Sequence, residues 1–189
     1  MSEQITKEQL FGGIAAPSEP HMACVLLLDI SSSMKGAPIQ SLNEAIAKFK
    51  QQVCQDPLAR KRVEVAIVTF ETHVEIVSDF MPIDQMPTIT LEPGGQTHMA
   101  EAIQVAIDLV KKRTREYQGV GVPCFKPWIF MITDGVSMST KEAMQEAAAR
   151  IHEEESKGSN GRLKFWALGV DDYLSLIHIS EPTRLGMIS

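Results

Sequence analysis

MACVLLLDI, residues 22–30, runs directly into Ser31-Ser32-Ser33-Met34-Lys35-Gly36, and the reading of this junction decides the fold. A stretch that is apolar except for one carboxylate has the length of a strand covered on both faces, as in a parallel sheet. Its single charge, Asp29, falls at the C-terminal end, where the polar turn begins. After Pro38 the apolar residues Ile39, Leu42, Ile46, Phe49 and Val53 recur at steps of three and four, the pattern of an amphipathic helix with proline in its first turn.

Downstream the alternation repeats. Arg62 to Phe70, RVEVAIVTF, is rich in β-branched residues, and the extended stretch His73 to Phe80 makes a hairpin with it. Gly94-Gly95-Gln96-Thr97 then opens a helix carrying Ala102, Ile103, Ala106, Ile107 and Val110, with Thr97 placed to cap it or just precede it. Lys126 to Thr133, KPWIFMIT, is a second buried-strand pattern that ends in an acid, Asp134, followed by Gly135. Ser139 and Glu142 form a capping-box pair for a helix with Ala143, Met144, Ala147 and Ile151. The turn Gly158-Ser159-Asn160-Gly161 leads to a last strand, Leu163 to Val170. Strands alternating with amphipathic helices predict an α/β fold with helices on both faces of an open, mostly parallel sheet and one antiparallel edge strand.

The chain has 189 residues, enough for one core, and a formal net charge of -6, which argues against sequence-independent binding to nucleic acid. The first twenty residues are polar and close in Ala16-Pro17-Ser18-Glu19-Pro20, the composition of a flexible arm over 1–20. No secretory leader pattern and no apolar run near the roughly 18 residues of a membrane helix is present, so a cytoplasmic protein without membrane contact is expected. Cys24, Cys54 and Cys124 lack CxxC spacing and are expected to be reduced thiols in or near the core. The runs Arg60-Lys61-Arg62 and Lys111-Lys112-Arg113 read as solvated charges at a strand start and a helix end.

In an open α/β sheet, ligands settle outside the carboxyl ends of the strands where the strand order reverses. Asp29-Ile30-Ser31-Ser32-Ser33 has the form DxSxS, and an extended chain turns alternate residues to one side, so Asp29, Ser31 and Ser33 converge. Thr97 and Asp134 lie in two further loops that the topology brings to the same end. Taken singly, each piece has a plainer reading: a polar turn for DxSxS, a helix cap for Thr97, and a tight turn for Asp134-Gly135. Their joint occurrence in this order is far more specific. Hydroxyl and carboxylate oxygens together suit Mg²⁺, a small hard cation that seeks octahedral oxygen coordination and keeps some of its water; Mn²⁺ is the alternative. Hydroxyl ligands cancel none of the ion's charge, so it would stay electrophilic toward an outside carboxylate.

These residues resemble a known family. DxSxS at 29–33, the Gly-Gly-x-Thr ending at Thr97 and the strand closing in Thr133-Asp134-Gly135 look like the metal-ion-dependent adhesion site of von Willebrand factor A domains, with a Rossmann-like sheet. The resemblance covers about 23–172. Asp56-Pro57 with RVEVAIVTF, and the KPWIFMITDG strand, are similar to small bacterial members found with tellurium-resistance and stress clusters. It implies that Ser31 and Ser33 bind the ion directly, that Thr97 does so directly or through water, and that Asp29 and Asp134 act largely through water and hydrogen bonds. It also implies a partner protein presenting an Asp or Glu carboxylate to the open position.

The function expected is therefore a metal-dependent protein-binding module and not an enzyme. The alternatives are a metal-assisted phosphohydrolase and a scaffold whose metal is purely structural. A haloacid-dehalogenase-type hydrolase would need a second Asp where Ser31 stands, and neither GxxxxGK[ST] nor GxSxG occurs. His73 and His98, the nearest general bases, read as ordinary surface or hairpin histidines.

From Leu174 the chain reads LSLIHISEPTRLGMIS, which resembles translated sequencing-adapter read-through. The expected organisation is a domain over 21–173, incomplete at its C-terminal end, and a non-native tail over 174–189. Such a cut would leave the last strand as a bare edge.

Overall fold

The structure, a computed structural model, describes Ile14, residues 17–135, 137–157 and 162–170, and the backbone of 174–177. The strands run β1 (Met22–Asp29), β2 (Val63–Phe70), β3 (Val74–Pro82), β4 (Trp128–Thr133), β5 (Lys164–Val170) and β6 (Leu174–Ile177). The helices are α1 (Ala37–Gln55), α2 (Pro57–Arg62), α3 (Met99–Gly119) and α4 (Lys141–Ser156). Strand order is β3-β2-β1-β4-β5-β6; β1, β2, β4 and β5 are parallel, and β3 lies antiparallel to β2 at one edge. This is the mostly parallel sheet with an antiparallel edge strand that the alternation of elements predicts.

Each central strand is apolar on both sides because each side is covered. Val25 and Leu27 of β1 and Ala66 and Val68 of β2 pack with Ile103 and Ile107 of α3 and Ala147 and Ile151 of α4. Cys24, Leu26 and Leu28, with Val65 and Ile67, meet Ile39, Leu42 and Ile46 of α1 on the opposite face. Full burial of such side chains contributes about 1.5–3 kcal/mol apiece before ordering entropy is counted. Burial also pushes the Cys24 thiol up to about 12, and all three cysteines are free. Among the described residues no helix is long and apolar enough to cross a membrane.

Several expectations are corrected. Ile14 is buried against Ala23, Tyr117 and Val122, so the arm is anchored at one point; residues 1–13, 15 and 16 lie outside the described residues. The basic run Arg60–Arg62 ends a short helix, α2, whose N-cap Asp56 accepts from Leu58 N and Ala59 N. Those two hydrogen bonds favour the charged Asp56 carboxylate and hold it below its ordinary range.

The second basic run sits inside α3. Arg113 is buried and donates to Glu64 Oε2 from Nε at 2.8 Å and from Nη2 at 2.6 Å, while Lys111 pairs with buried Glu154 at 2.6 Å. Neither is a merely solvated charge. Residues 158–161, the expected turn, and 178–189, most of the expected tail, lie outside the described residues. The outer edge of β5 is not bare, because β6 pairs antiparallel with it from Val170↔Leu174 to Ala167↔Ile177.

Candidate metal centre

β1 pairs with β2 on one side and with β4 on the other, so the order of strands reverses at β1. The crevice at the carboxyl ends of β1 and β4 is where an open sheet leaves room for a ligand. The register Leu28↔Ile132 carries one step further to set Asp29 beside Thr133. Both side chains point to the α3 face, as Leu27 and Met131 do two residues earlier.

Asp29 and Ser31 are buried, whereas Ser33 is exposed. Asp29 Oδ1 accepts from Ser31 N at 2.9 Å, and Asp29 Oδ2 accepts from Thr133 Oγ1 at 2.6 Å. The Ser31 and Ser33 hydroxyls are 3.0 Å apart. Burial pushes the Asp29 carboxyl above the usual carboxylate range; hydrogen bonds from Ser31 and Thr133 pull the other way, and the nearby charge of Asp134 adds to the rise. DxSxS thus closes on itself as the alternation of side chains predicts, and Asp134 lies close enough to Asp29 to act on it.

Thr97 reaches the same place by main-chain contacts. Gly94 N donates to Ile30 O at 2.7 Å and Ser32 N donates to Gly95 O at 3.1 Å, stitching the Thr97 loop to the DxSxS loop. On its far side Met138 N donates to Thr97 O at 3.0 Å, joining it to the segment after Asp134. The turn between β2 and β3 closes the third side: Gln96 N donates to Thr72 Oγ1 at 3.0 Å and His98 N to Glu71 O at 3.0 Å. Gly95 has φ +65, a left-handed conformation that favours glycine, and a Cβ there would force the Glu71 and Thr72 side chains to move. Thr97 itself is buried. It precedes the helix; the N-cap of α3 is His98, which makes no side-chain cap.

Ser139 supplies what His98 does not. Its hydroxyl accepts from Ala100 N at 3.1 Å in the first turn of α3, while Thr140 caps α4 by accepting from Ala143 N at 3.2 Å. The N-cap of α4 is therefore Thr140, one residue beyond the expected Ser139, and with Ala143 at N3 the expected capping box does not form; Ser139 instead ties the Asp134 loop to the helix after Thr97.

The oxygen set fits a small hard cation. Two neighbouring ligands of an octahedral Mg²⁺, with bonds of about 2.0–2.1 Å, lie about 2.9 Å apart, close to the spacing of the two serine hydroxyls. Among the described residues, no ion pair offers Asp29 a Lys, Arg or His, so its buried carboxylate meets only neutral donors. No group of three or more His, Cys, Asp or Glu converges among the described residues.

The family model of the von Willebrand factor type A domain matches residues 24–137, more than half of the chain and a span that contains Asp29, Ser31, Ser33, Thr97 and Asp134. The chain belongs to this family. Von Willebrand factor type A domains often mediate metal-dependent protein interactions. No curated protein matches the sequence. Among solved structures, the manganese-loaded TRAP protein of Plasmodium vivax aligns with TM-score 0.56 and 16% identity, over 89% of this chain and 62% of that one. An aerotolerance-related membrane protein from Bacteroides fragilis aligns with TM-score 0.51 and 13% identity, over 88% and 86%. The VWA2 paralog of ArnB from Sulfolobus acidocaldarius gives TM-score 0.51 and 16% identity, over 80% and 35%. At such identities the likeness is one of fold. The chain spans less than two thirds of the length of several structures it matches, 22% of the three N-terminal domains of the type V pili tip protein Mfa5 of Porphyromonas gingivalis among them.

Two residues of this von Willebrand factor type A site carry roles that sequence reasoning did not assign. Thr133 was legible in principle, since it and Asp29 are polar residues closing two otherwise apolar strands. Ser139 was not, because its partner lies in another helix.

Proposed function

We propose that this von Willebrand factor type A domain is a metal-dependent protein-binding module that takes an Asp or Glu side chain of a partner protein. Ser31 and Ser33 would hold Mg²⁺, or Mn²⁺, through their hydroxyls, and Thr97 would do so directly or through water. Asp29 and Asp134 would act through water and hydrogen bonds. The bound ion would supply a positive, incompletely neutralised position for a carboxylate to occupy.

The observation that carries this reading is the buried Asp29 carboxylate, supplied with neutral donors alone beside a pair of hydroxyls 3.0 Å apart. The manganese-loaded state of the Plasmodium vivax protein supports a divalent ion in this fold. Three free cysteines support a cytoplasmic setting, and the resemblance to small bacterial members of tellurium-resistance clusters supports a stress-response role.

The test is a pull-down from native lysate in Mg²⁺ and in EDTA, with Ser31→Ala beside the parent chain. A partner should be retained by the parent in Mg²⁺ alone, and its binding should fail when its contacting Asp or Glu is changed to the amide. Retention that ignores EDTA would sink the proposal. Phosphate-ester turnover abolished by Asp29→Asn would replace it with a hydrolase.

A further inference from the structure

Given the metal centre proposed above, we infer that Thr133 is a positioning residue for it, holding the Asp29 carboxylate and the turn that carries Asp134 through one hydroxyl. The side chain is buried at the end of β4, and its contacts fix the direction of every proton. A carboxylate can only accept and a backbone N–H can only donate. Thr133 Oγ1 therefore donates to Asp29 Oδ2 at 2.6 Å and accepts from Gly135 N at 3.0 Å.

With Ser31 N–H on Oδ1, both oxygens of Asp29 are engaged, and the carboxylate has no freedom to turn about its last bond. The second contact acts on Asp134. Gly135 has φ +88, the left-handed conformation that glycine adopts freely, and its N–H bond back to Thr133 closes the turn around the residue between them. The hydroxyl thus couples the orientation of Asp29 to the turn that carries Asp134. It touches neither Ser31 nor Ser33 and is no ligand itself. Groups that hold a metal's ligands commonly set ten- to a hundred-fold in affinity, because they decide whether the ligands are already aimed; Thr133 acts one step further out, through Asp29 and its hold on the Ser31 N–H.

Valine is nearly isosteric with threonine and lacks the hydroxyl, so Thr133→Val leaves Asp29 Oδ2 and the Gly135 N–H without this partner. Serine keeps the hydroxyl. The experiment titrates MgCl₂ and MnCl₂ calorimetrically into the full chain and both variants, at a temperature where circular dichroism shows all three folded. Amide hydrogen exchange at Ser31 and Gly135 is followed by NMR. Thr133→Val should lose up to about ten-fold in metal affinity and exchange its Gly135 amide faster, and Thr133→Ser should bind and exchange close to the parent. Should Thr133→Val fail to fold, Thr133→Cys replaces it and should fall between the parent and a full loss.

Parent-like affinity in Thr133→Val overturns the inference. So does a folded Thr133→Ser that loses as much as Thr133→Val, since the methyl would then matter and not the hydroxyl. A parent chain that binds neither ion defeats the metal reading and takes the inference with it. That case is recognised from the parent titration alone, whatever the Gly135 exchange shows of the hydroxyl's grip.

Discussion

Asp29 and Glu64 are both buried carboxylates on the α3 side of the sheet, one at the carboxyl end of β1 and the other at the amino end of β2. Glu64 is matched within the fold. Arg113 donates to its Oε2 twice, Tyr117 adds its hydroxyl at 2.7 Å, and His21 stacks on Tyr117 with ring centroids 5.5 Å apart. Asp29 receives one N–H and one O–H, both neutral, and stands near another acid. A buried charge is tolerated when an opposite charge and hydrogen bonds accompany it. The Glu64 pole carries its own cation, whereas the Asp29 pole carries only hydrogen bonds. The first is a joint between α3 and the sheet, and the second is where the proposed ion would supply the missing positive charge.

Breaking the Glu64 pole should have the largest effect on stability. Arg113→Met leaves a buried carboxylate without its cation and should cost about 3–5 kcal/mol in urea denaturation. Adding Glu64→Gln should recover most of the loss, since no charge then remains to be neutralised. A double variant no more stable than Arg113→Met would show that Arg113 acts through packing over the Phe80 and Tyr117 rings instead.

The Asp29 pole should respond to the ion. Mg²⁺ at a hundred times its dissociation constant should stabilise the parent chain by about 2.7 kcal/mol, because it binds the folded state alone. Asp29→Asn should abolish that gain, read as the difference in melting temperature between Mg²⁺ and EDTA. Arg113→Met should retain the gain at temperatures where it is folded; its loss there would mean that the two poles are coupled and the contrast is wrong.

The smallest effect belongs to the tie between loops. Ser139→Ala removes the hydroxyl at the start of α3 and should cost about 1 kcal/mol in chemical denaturation. A large accompanying fall in Mg²⁺ affinity would show that Ser139 helps hold Thr97 in place. An unchanged affinity would confine it to capping.

The sheet was legible because β1 and β4 are written in almost uninterrupted apolar side chains and β2 in β-branched ones, and the positions of Asp29 and Asp134 at strand ends are plain in the sequence. α2 was harder: six residues with no buried side chain leave no periodicity, although Asp56-Pro57 is a sound helix start. Glu64 and Arg113 were opaque because each reads as a surface charge until a contact across 49 positions is known. Three of the proposed ligands follow from their spacing. The arrival of Thr97 does not, since the hydrogen bonds that bring its loop home run mostly between main-chain atoms and leave no mark on residue type.

That same main-chain stitching separates architecture from identity at the rim. Gln96 and Met138 each spend their backbone amide on holding the loops together, and both are exposed, Met138 to 60%. Their side chains can be exchanged in a randomised library, or drift between lineages, while the loops stay in place. The chemistry displayed at the rim is thereby uncoupled from the frame that carries it.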